Sequence, residues 1–446
     1  MLTGSPPGEF VRFVFPSVFG LLAISSASVI DGIFIGNFVG ATALAAVSLT
    51  MPLIAFVFGL LIMISLGGTV VAGKHLGEGD TDEASNIFSK TGLVLVLMML
   101  ALAMLTLLVP EAISKALGAR GPTVAMSSEY IWVTAWFFPA FGIALFFNQF
   151  ARVDGRPDLA LDGMIGLTLT NIALDYVMVA RLEWGLFGAA LATGLAYVFN
   201  AAILLFYYLG PRAKLRMIRP HGSWLIIFRT AFNGFSEFLN ETSSGLVLLL
   251  FNWILMTQVG ALGVAAFTVV DYVIYFGILI FYGVAEGVVP LVSVNLGGQK
   301  PARILRFLFL GIGFSILVGA TLIALLLTWP DELIGFFLAD DEPEIRDLAV
   351  SIIAIVWPMF AFGGINIAIS AYFTGMHCAK ESALIAGMRS LILPISLVLL
   401  LGYFYGFMGA FYALPISEAL TFVLSLILLR SRLPNQIICV ANEPAD

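Results

Sequence analysis

GATALAAVSLTMPLIAFVFGLLIMISLGGTVVAG, residues 40–73, is a run of 34 residues with no charged side chain. About 20 apolar residues suffice for a helix to cross the hydrocarbon core of a bilayer. This run has length to spare, which implies a tilted or kinked span. It also recurs. Shifted by 220 positions without a gap, GATALAAVSLTMPLIAF (40–56) falls on GALGVAAFTVVDYVIYF (260–276). Over 40–77 against 260–297 nine residues are identical: Gly40/Gly260, Ala41/Ala261, Ala45/Ala265, Ala46/Ala266, Ile54/Ile274, Phe56/Phe276, Gly67/Gly287, Leu76/Leu296 and Gly77/Gly297. Further on, WGLFGAA (184–190) falls on YGFMGAF (405–411) at an offset of 221, matching Gly185/Gly406, Gly188/Gly409 and Ala189/Ala410. Nearly the same offset at both ends of a half argues for a duplicated unit over coincidence between Gly/Ala-rich segments.

The rest of the chain is built alike. Of its 446 residues 60% are hydrophobic and 11% charged, and the mean hydropathy is +1.04. A soluble domain carries roughly 25% charge, so a water-soluble or disordered chain is excluded. An outer-membrane barrel is disfavoured because its alternating strands dilute hydropathy. Apolar runs between charged or Gly/Pro-rich breaks give twelve spans: 10–36, 42–72, 88–109, 129–151, 160–180, 186–208, 224–255, 262–295, 304–328, 346–374, 382–402 and 407–429. The expected fold is an all-α membrane protein of twelve transmembrane helices in two pseudo-symmetric six-helix lobes. The N-terminal lobe is expected over 1–209, a linker over 210–222, the C-terminal lobe over 223–432 and a tail over 433–446. Six spans per half make the repeat parallel, about an axis along the membrane normal, as in many secondary transporters. Two cysteines, Cys378 and Cys439, allow no disulfide framework. The first apolar segment is too long for a cleavable signal, and Glu9 and Arg12 flank it without a basic run.

An even number of spans puts both termini on one side, and the Lys/Arg distribution selects it. Seventeen lie on the side of the termini: Arg12, Lys74, Lys90, Arg152, Arg156, Arg212, Lys214, Arg216, Arg219, Arg229, Lys300, Arg303, Arg306, Lys380, Arg389, Arg430 and Arg432. Four lie opposite: Lys115, Arg120, Arg181 and Arg346. Both termini and the basic linker GPRAKLRMIRPHG (210–222) are therefore expected in the cytoplasm, with Asp340, Asp341, Glu342 and Glu344 outside. The net charge of −7 is spread over loops and points to no nucleic-acid partner.

No GxxxxGKS/T phosphate loop and no HExxH pair is present, and His75, His221 and His377 all fall in expected loops. ATP-driven transport by this chain alone, an enzymatic role and a resident cofactor are not expected. What remains is the set of ionisable groups inside the spans, each expensive in hydrocarbon and hence a functional hypothesis. The first half has Asp31 and Asp175. Asn171 lies four residues before Asp175 on the same helical face, and Thr193 lies in the sixth span. These oxygens suit a desolvated Na⁺ or a shared proton; the plainer alternative is a polar knot joining helices. Pro16, fifteen residues before Asp31, kinks the first span, either as a hinge that responds to the charge on Asp31 or as a static bend. The second half has Glu237 and Glu241, one turn apart, with Asp271, Glu286 and Glu418; Asn240 and Asn252 add amides. No lysine or arginine is expected at these depths. An acidic, aromatic-rich pocket suits an organic cation, and the 38 phenylalanines and 15 methionines fit adaptable binding surfaces. The alternative is an inter-helix hydrogen-bond network.

IDGIFIG (30–36), ALAAVSL (43–49), RPDLALDGMIGLTLTNIALDYV (156–177), GLFGAALAT (185–193), NGFSEFLNETSSG (233–245), GVAAFTVVDYVIYF (263–276) and GVVPLVSVNLGG (287–298) together resemble the MATE (multidrug and toxic compound extrusion) transporters, in the bacterial branch with DinF-like and MepA-like members. The resemblance covers essentially the whole chain. It implies two six-helix lobes around a V-shaped cavity and a monomer in the plasma membrane. The implied activity is efflux of drugs and organic cations driven by inward H⁺ or Na⁺. It further implies that Asp31, Asn171, Asp175 and Thr193 form the N-lobe cation site and that Pro16 is the family's first-span proline. Glu237 sits outside the context of the C-lobe carboxylate pair used by NorM-like members. The competing reading from the wider superfamily is a flippase for lipid-linked oligosaccharide or peptidoglycan precursors, which the expected lack of intramembrane Lys/Arg disfavours.

Overall fold

The structure, a computed structural model, describes residues 1–335 and 343–434. Asp340, Asp341, Glu342, Cys439 and the tail from 435 onward lie outside the described residues. Among the described residues all regular structure is helical. In chain order the helices are α1 (Pro6–Phe34), α2 (Ala41–Glu78), α3 (Thr81–Leu108), α4 (Pro110–Ala116), α5 (Pro122–Trp136), α6 (Phe138–Val153), α7 (Pro157–Asp175), α8 (Gly185–Leu209) and α9 (Ile226–Asn233). There follow α10 (Phe235–Gln258), α11 (Ala261–Gly297), α12 (Pro301–Thr328), α13 (Pro330–Gly335), α14 (Pro343–Val356), α15 (Met359–Gly375), α16 (Ala379–Gly387), α17 (Leu393–Phe411) and α18 (Ala413–Ser431). Wider π-helical turns at Ile35–Val39, Tyr176–Arg181 and Met388–Ile392 interrupt or end three of them. Proline opens α4, α5, α6, α7, α12 and α17, where its missing N–H costs nothing. Asp80 caps α3 by accepting from the Glu83 N–H at 2.9 Å.

Ten stretches are each long and apolar enough to cross a bilayer, and the pairs α5–α6 and α14–α15 complete two more, bent by 53° and 54°. This yields the twelve spans. Only 22–44% of the most apolar window in each of the ten is buried, so their outer faces are left for lipid. The expected run 224–255 is in fact two helices, α9 and α10, broken at Gly234.

The chain forms two compact units. The first is Phe15–Gly234 with Met1; the second is Leu2–Val14 with Phe235–Asp446. In the first, Phe88, Phe146, Phe150 and Tyr208 pack ring to ring. In the second, Phe251, Phe267 and Phe411 do so. The basic loop is strapped down within the first unit. Asp154 Oδ1 accepts from the backbone of Lys214 and Leu215 at 3.0 Å each, Asn86 Oδ1 accepts from His221 N, and Lys90 Nζ donates to Ser223 O at 2.9 Å. Lys90 is consequently buried, as is Arg152, which donates to Ser17, Asn148 and Gln149.

The duplication read from sequence is written into the backbone. Gly40 (φ 112°, ψ 170°) and Gly260 (φ 85°, ψ −159°) both hold a conformation open essentially to glycine alone. Positive φ recurs at Gly79 and Gln299, at Gly155 and His377, and at Gly185 and Gly406, offsets of 220, 222 and 221. The bends after Trp136 and after Val356 are likewise 220 apart. The boundaries between units fall at Val14/Phe15 and Gly234/Phe235, again 220 apart. Each unit thus includes the opening segment of the other half's first helix. The identity Gly67/Gly287 follows from that exchange: a Cβ on Gly67 would run into the Thr230 backbone on α9, and one on Gly287 would come within 2.8 Å of Val14 Cα on α1. A helix crossing this close admits only glycine.

A buried acid pair and an acid–arginine network

In the first unit, Asp31 stands one turn before the π turn Ile35–Val39, and Asp175 immediately precedes the π turn Tyr176–Arg181. Such turns add a residue to the helix and are frequent at functional sites. The two π turns pack against each other and against α8, which carries Thr193. Asn171 Nδ2 donates to Thr193 Oγ1 at 3.3 Å. The carboxylates of Asp31 and Asp175 are close enough to feel each other's charge, and Tyr130 and Tyr197 stand in the same field. Asp175 is fully buried and Asp31 half-buried. Neither Asp175 oxygen receives a hydrogen bond from the described residues, nor does Asp31 Oδ1. Ile35 and Val179 of the two π turns pack with Val47, Tyr130, Val133 and Leu186 in one buried apolar cluster. The structure therefore brings Asp31, Asn171, Asp175 and Thr193 into one neighbourhood.

An ionised carboxylate without a partner in such surroundings costs several kcal/mol, and a second acid beside it adds repulsion. A proton or a cation relieves the arrangement. Among the described residues no group of three or more His, Cys, Asp and Glu side chains converges on a metal position. The donor set here is two carboxylates, an amide and a hydroxyl, all hard oxygens, with three carboxylate oxygens uncommitted, which fits H⁺ or a small hard cation such as Na⁺. Pro16 lies inside α1 two residues past the point where that helix passes from the second unit to the first. It has no N–H to offer the Arg12 carbonyl.

The second unit gives its acids different partners. Glu237 and Glu241 lie one turn apart on α10, and Glu286 of α11 shares their electrostatic neighbourhood. Asn240 Nδ2 donates to Glu237 Oε2 at 3.1 Å. Asp271, on the same helix as Glu286, is fifteen residues from it, about 22 Å along the axis. Glu418 of α18 is a paired acid: Arg389 Nη1 donates to its Oε1 at 3.2 Å, and Asn366 Nδ2 to its Oε2 at 2.8 Å. Ser425 in turn donates to Asn366 Oδ1. The other amino group of Arg389 donates to the Tyr282 hydroxyl at 2.7 Å and reaches Asn240 Oδ1 at 3.4 Å.

Arg389 corrects the expectation that no basic residue lies at this depth. It is 7% exposed, in the π turn Met388–Ile392 within the span Ala379–Phe411. A surplus of carboxylates can hold a guanidinium in place of water, so burial is affordable there. The linear signal existed, since the apolar run 382–402 encloses Arg389. Moving it out of the cytoplasmic count leaves sixteen basic residues against four. Tyr197 (four residues after Thr193) and Tyr282 (four before Glu286) were also visible as same-face neighbours. Tyr130 and Asn366 come from other helices, with no sequence signal.

The MatE family model matches residues 16–177 and 237–400, one segment in each half. The multidrug export protein MepA of Staphylococcus saprophyticus subsp. saprophyticus is 28% identical over 439 residues, covering 95% of this chain and 94% of that protein. MepA of Staphylococcus aureus (strain MSSA476) is 26% identical over 435 residues with the same coverage. Among solved structures, a MATE protein in complex with MaL6 superposes with a TM-score of 0.92 at 19% identity, covering 98% of each chain; it shares the fold. With the family model matching most of its length in both halves, the chain belongs to the MatE family.

Proposed function

We propose that this protein is a multidrug exporter of the cell membrane that expels cationic drugs in exchange for inward H⁺ or Na⁺, alternating access between the two faces. The observation that carries the reading is the Asp31–Asp175 pair, whose uncommitted oxygens beside Asn171 and Thr193 suit a proton or a cation. The near full-length similarity to multidrug export proteins supports the drug-efflux part. An ion drives alternation only through different affinities in the two states; here, filling the acid pair removes its repulsion and lets α1 bend at Pro16. The Glu237–Glu241–Glu286 group supplies the negative field for a cationic cargo. The protein acts as a monomer with both termini in the cytoplasm.

The flippase reading loses one of its counter-arguments with Arg389, but gains no support. That guanidinium is already matched by Glu418, and the acids Glu237 and Glu241 on α10 make a poor host for an anionic lipid-linked cargo. The test is efflux of a cationic dye from proteoliposomes under separately imposed Na⁺ and pH gradients. Efflux under one gradient and not the other names the ion; efflux under neither removes the antiport reading.

A further inference from the structure

Of the charged groups in the second unit, Arg389 has no role in the function proposed above. It is paired with Glu418 and stands within the electrostatic reach of Glu237, and its environment is lopsided. Glu418 grips one side directly and is itself fixed by Asn366, through both its carboxylate (2.8 Å) and its backbone carbonyl (2.9 Å). On the other side Arg389 reaches Asn240 Oδ1 at 3.4 Å, and the same amide donates to Glu237 Oε2 at 3.1 Å. One side-chain amide therefore separates the guanidinium from Glu237. Arg389 sits in a π turn, where the helical ladder is already loosened.

We propose that Arg389 is a tethered counter-cation which Glu418 and Asn366 hold away from Glu237 and Glu241, leaving those two acids to a cationic ligand. Glu418 is then a positioning residue that never touches the cargo. Without its charge, Arg389 turns past Asn240 onto Glu237 and Glu241 and occupies the place of the ligand. This rests on the reading of the acid group as the cargo site.

The experiment uses the full-length protein in nanodiscs with ethidium as the probe, checking each variant for monodispersity and a cooperative melt. Glu418→Gln is expected to weaken ethidium binding at least tenfold, since a guanidinium a few ångströms from the bound dye opposes it strongly in low dielectric. The double variant Arg389→Gln/Glu418→Gln is expected to return to within about threefold of the wild type, because both partners leave together. Loss of packing alone predicts no such rescue. Glu237→Gln/Glu241→Gln is the control on the underlying reading and is expected to bind weakly. If that control binds as the wild type does, the cargo reading fails and this inference with it. If the control is weak but Glu418→Gln binds normally, or the double variant is no better than Glu418→Gln, the inference alone is overturned. If Glu418→Gln does not fold, an ethidium affinity of the double variant more than threefold below the wild type overturns it.

Discussion

Asp175→Asn isolates the charge at the centre of the first-unit site. The side chain is fully buried, both oxygens accept nothing from the described residues, and asparagine has nearly the same volume. A cation about 4 Å from an ionised carboxylate is held by about 4 kcal/mol at an effective dielectric near 20. Allowing for the cost of leaving the acid uncompensated before the ion arrives, the loss on substitution is about 2–4 kcal/mol, or about 30- to 1,000-fold in ion affinity. Asp31 is half-buried and better screened, so Asp31→Asn should lose somewhat less ion binding while also stopping gradient-driven efflux. Thr193→Ala removes only a neutral donor–acceptor and should cost less than either. Thermal stability moves the other way: in ion-free buffer at neutral pH, Asp175→Asn removes a buried unpaired acid and should melt no lower than the wild type. The assays are ion-dependent thermal shift of the purified protein and dye efflux from proteoliposomes under an imposed gradient. Gradient-driven efflux at the wild-type rate in Asp175→Asn, or ion affinity within threefold of the wild type, would refute the coupling role and leave the acid pair as structural glue.

Gly287→Leu places side-chain atoms against the Val14 backbone, where a Cβ alone comes within 2.8 Å. Overpacking of this kind costs about 1–3 kcal/mol, to be read as a lowered melting temperature, and an unchanged melt would contradict the close crossing. Burial pushes the Cys378 thiol up to about 11, with Glu381 adding to the rise. In a Cys439→Ser background its alkylation should therefore climb about tenfold per pH unit from 7 to 10, whereas a plateau below pH 9 would argue for an ordinary exposed thiol. Reporter fusions near Arg216 and near Glu342 should report opposite sides of the membrane, cytoplasmic for the first; the same side for both is incompatible with the twelve-span topology.

Hydropathy and its repetition were legible from the chain alone, because both are linear properties. A run such as 42–72 must cross a bilayer whatever surrounds it, since its backbone polar groups can be satisfied only within a helix. The repeat at an offset of 220 was visible in a few glycines, and the structure supplies their reason: Gly40 and Gly260 hold backbone angles closed to other residues, and Gly67 and Gly287 are crossing points. Asp31, Asn171, Asp175 and Thr193 were legible as polar groups in apolar company. What the sequence could not supply is which charges neutralise one another. Glu418 read as a free cavity acid and Arg389 as a loop charge, 29 residues apart; their ion pair exists because α18 and the π turn before α17 meet in space. Asp271 and Glu286 read as companions, yet they stand about four turns apart along the one long helix α11. Nor does a linear reading reveal that each compact unit takes the opening segment of the other half's first helix. For the charges the physical reason is that the cost of burial depends on the partners within a few ångströms, and only packing decides those partners.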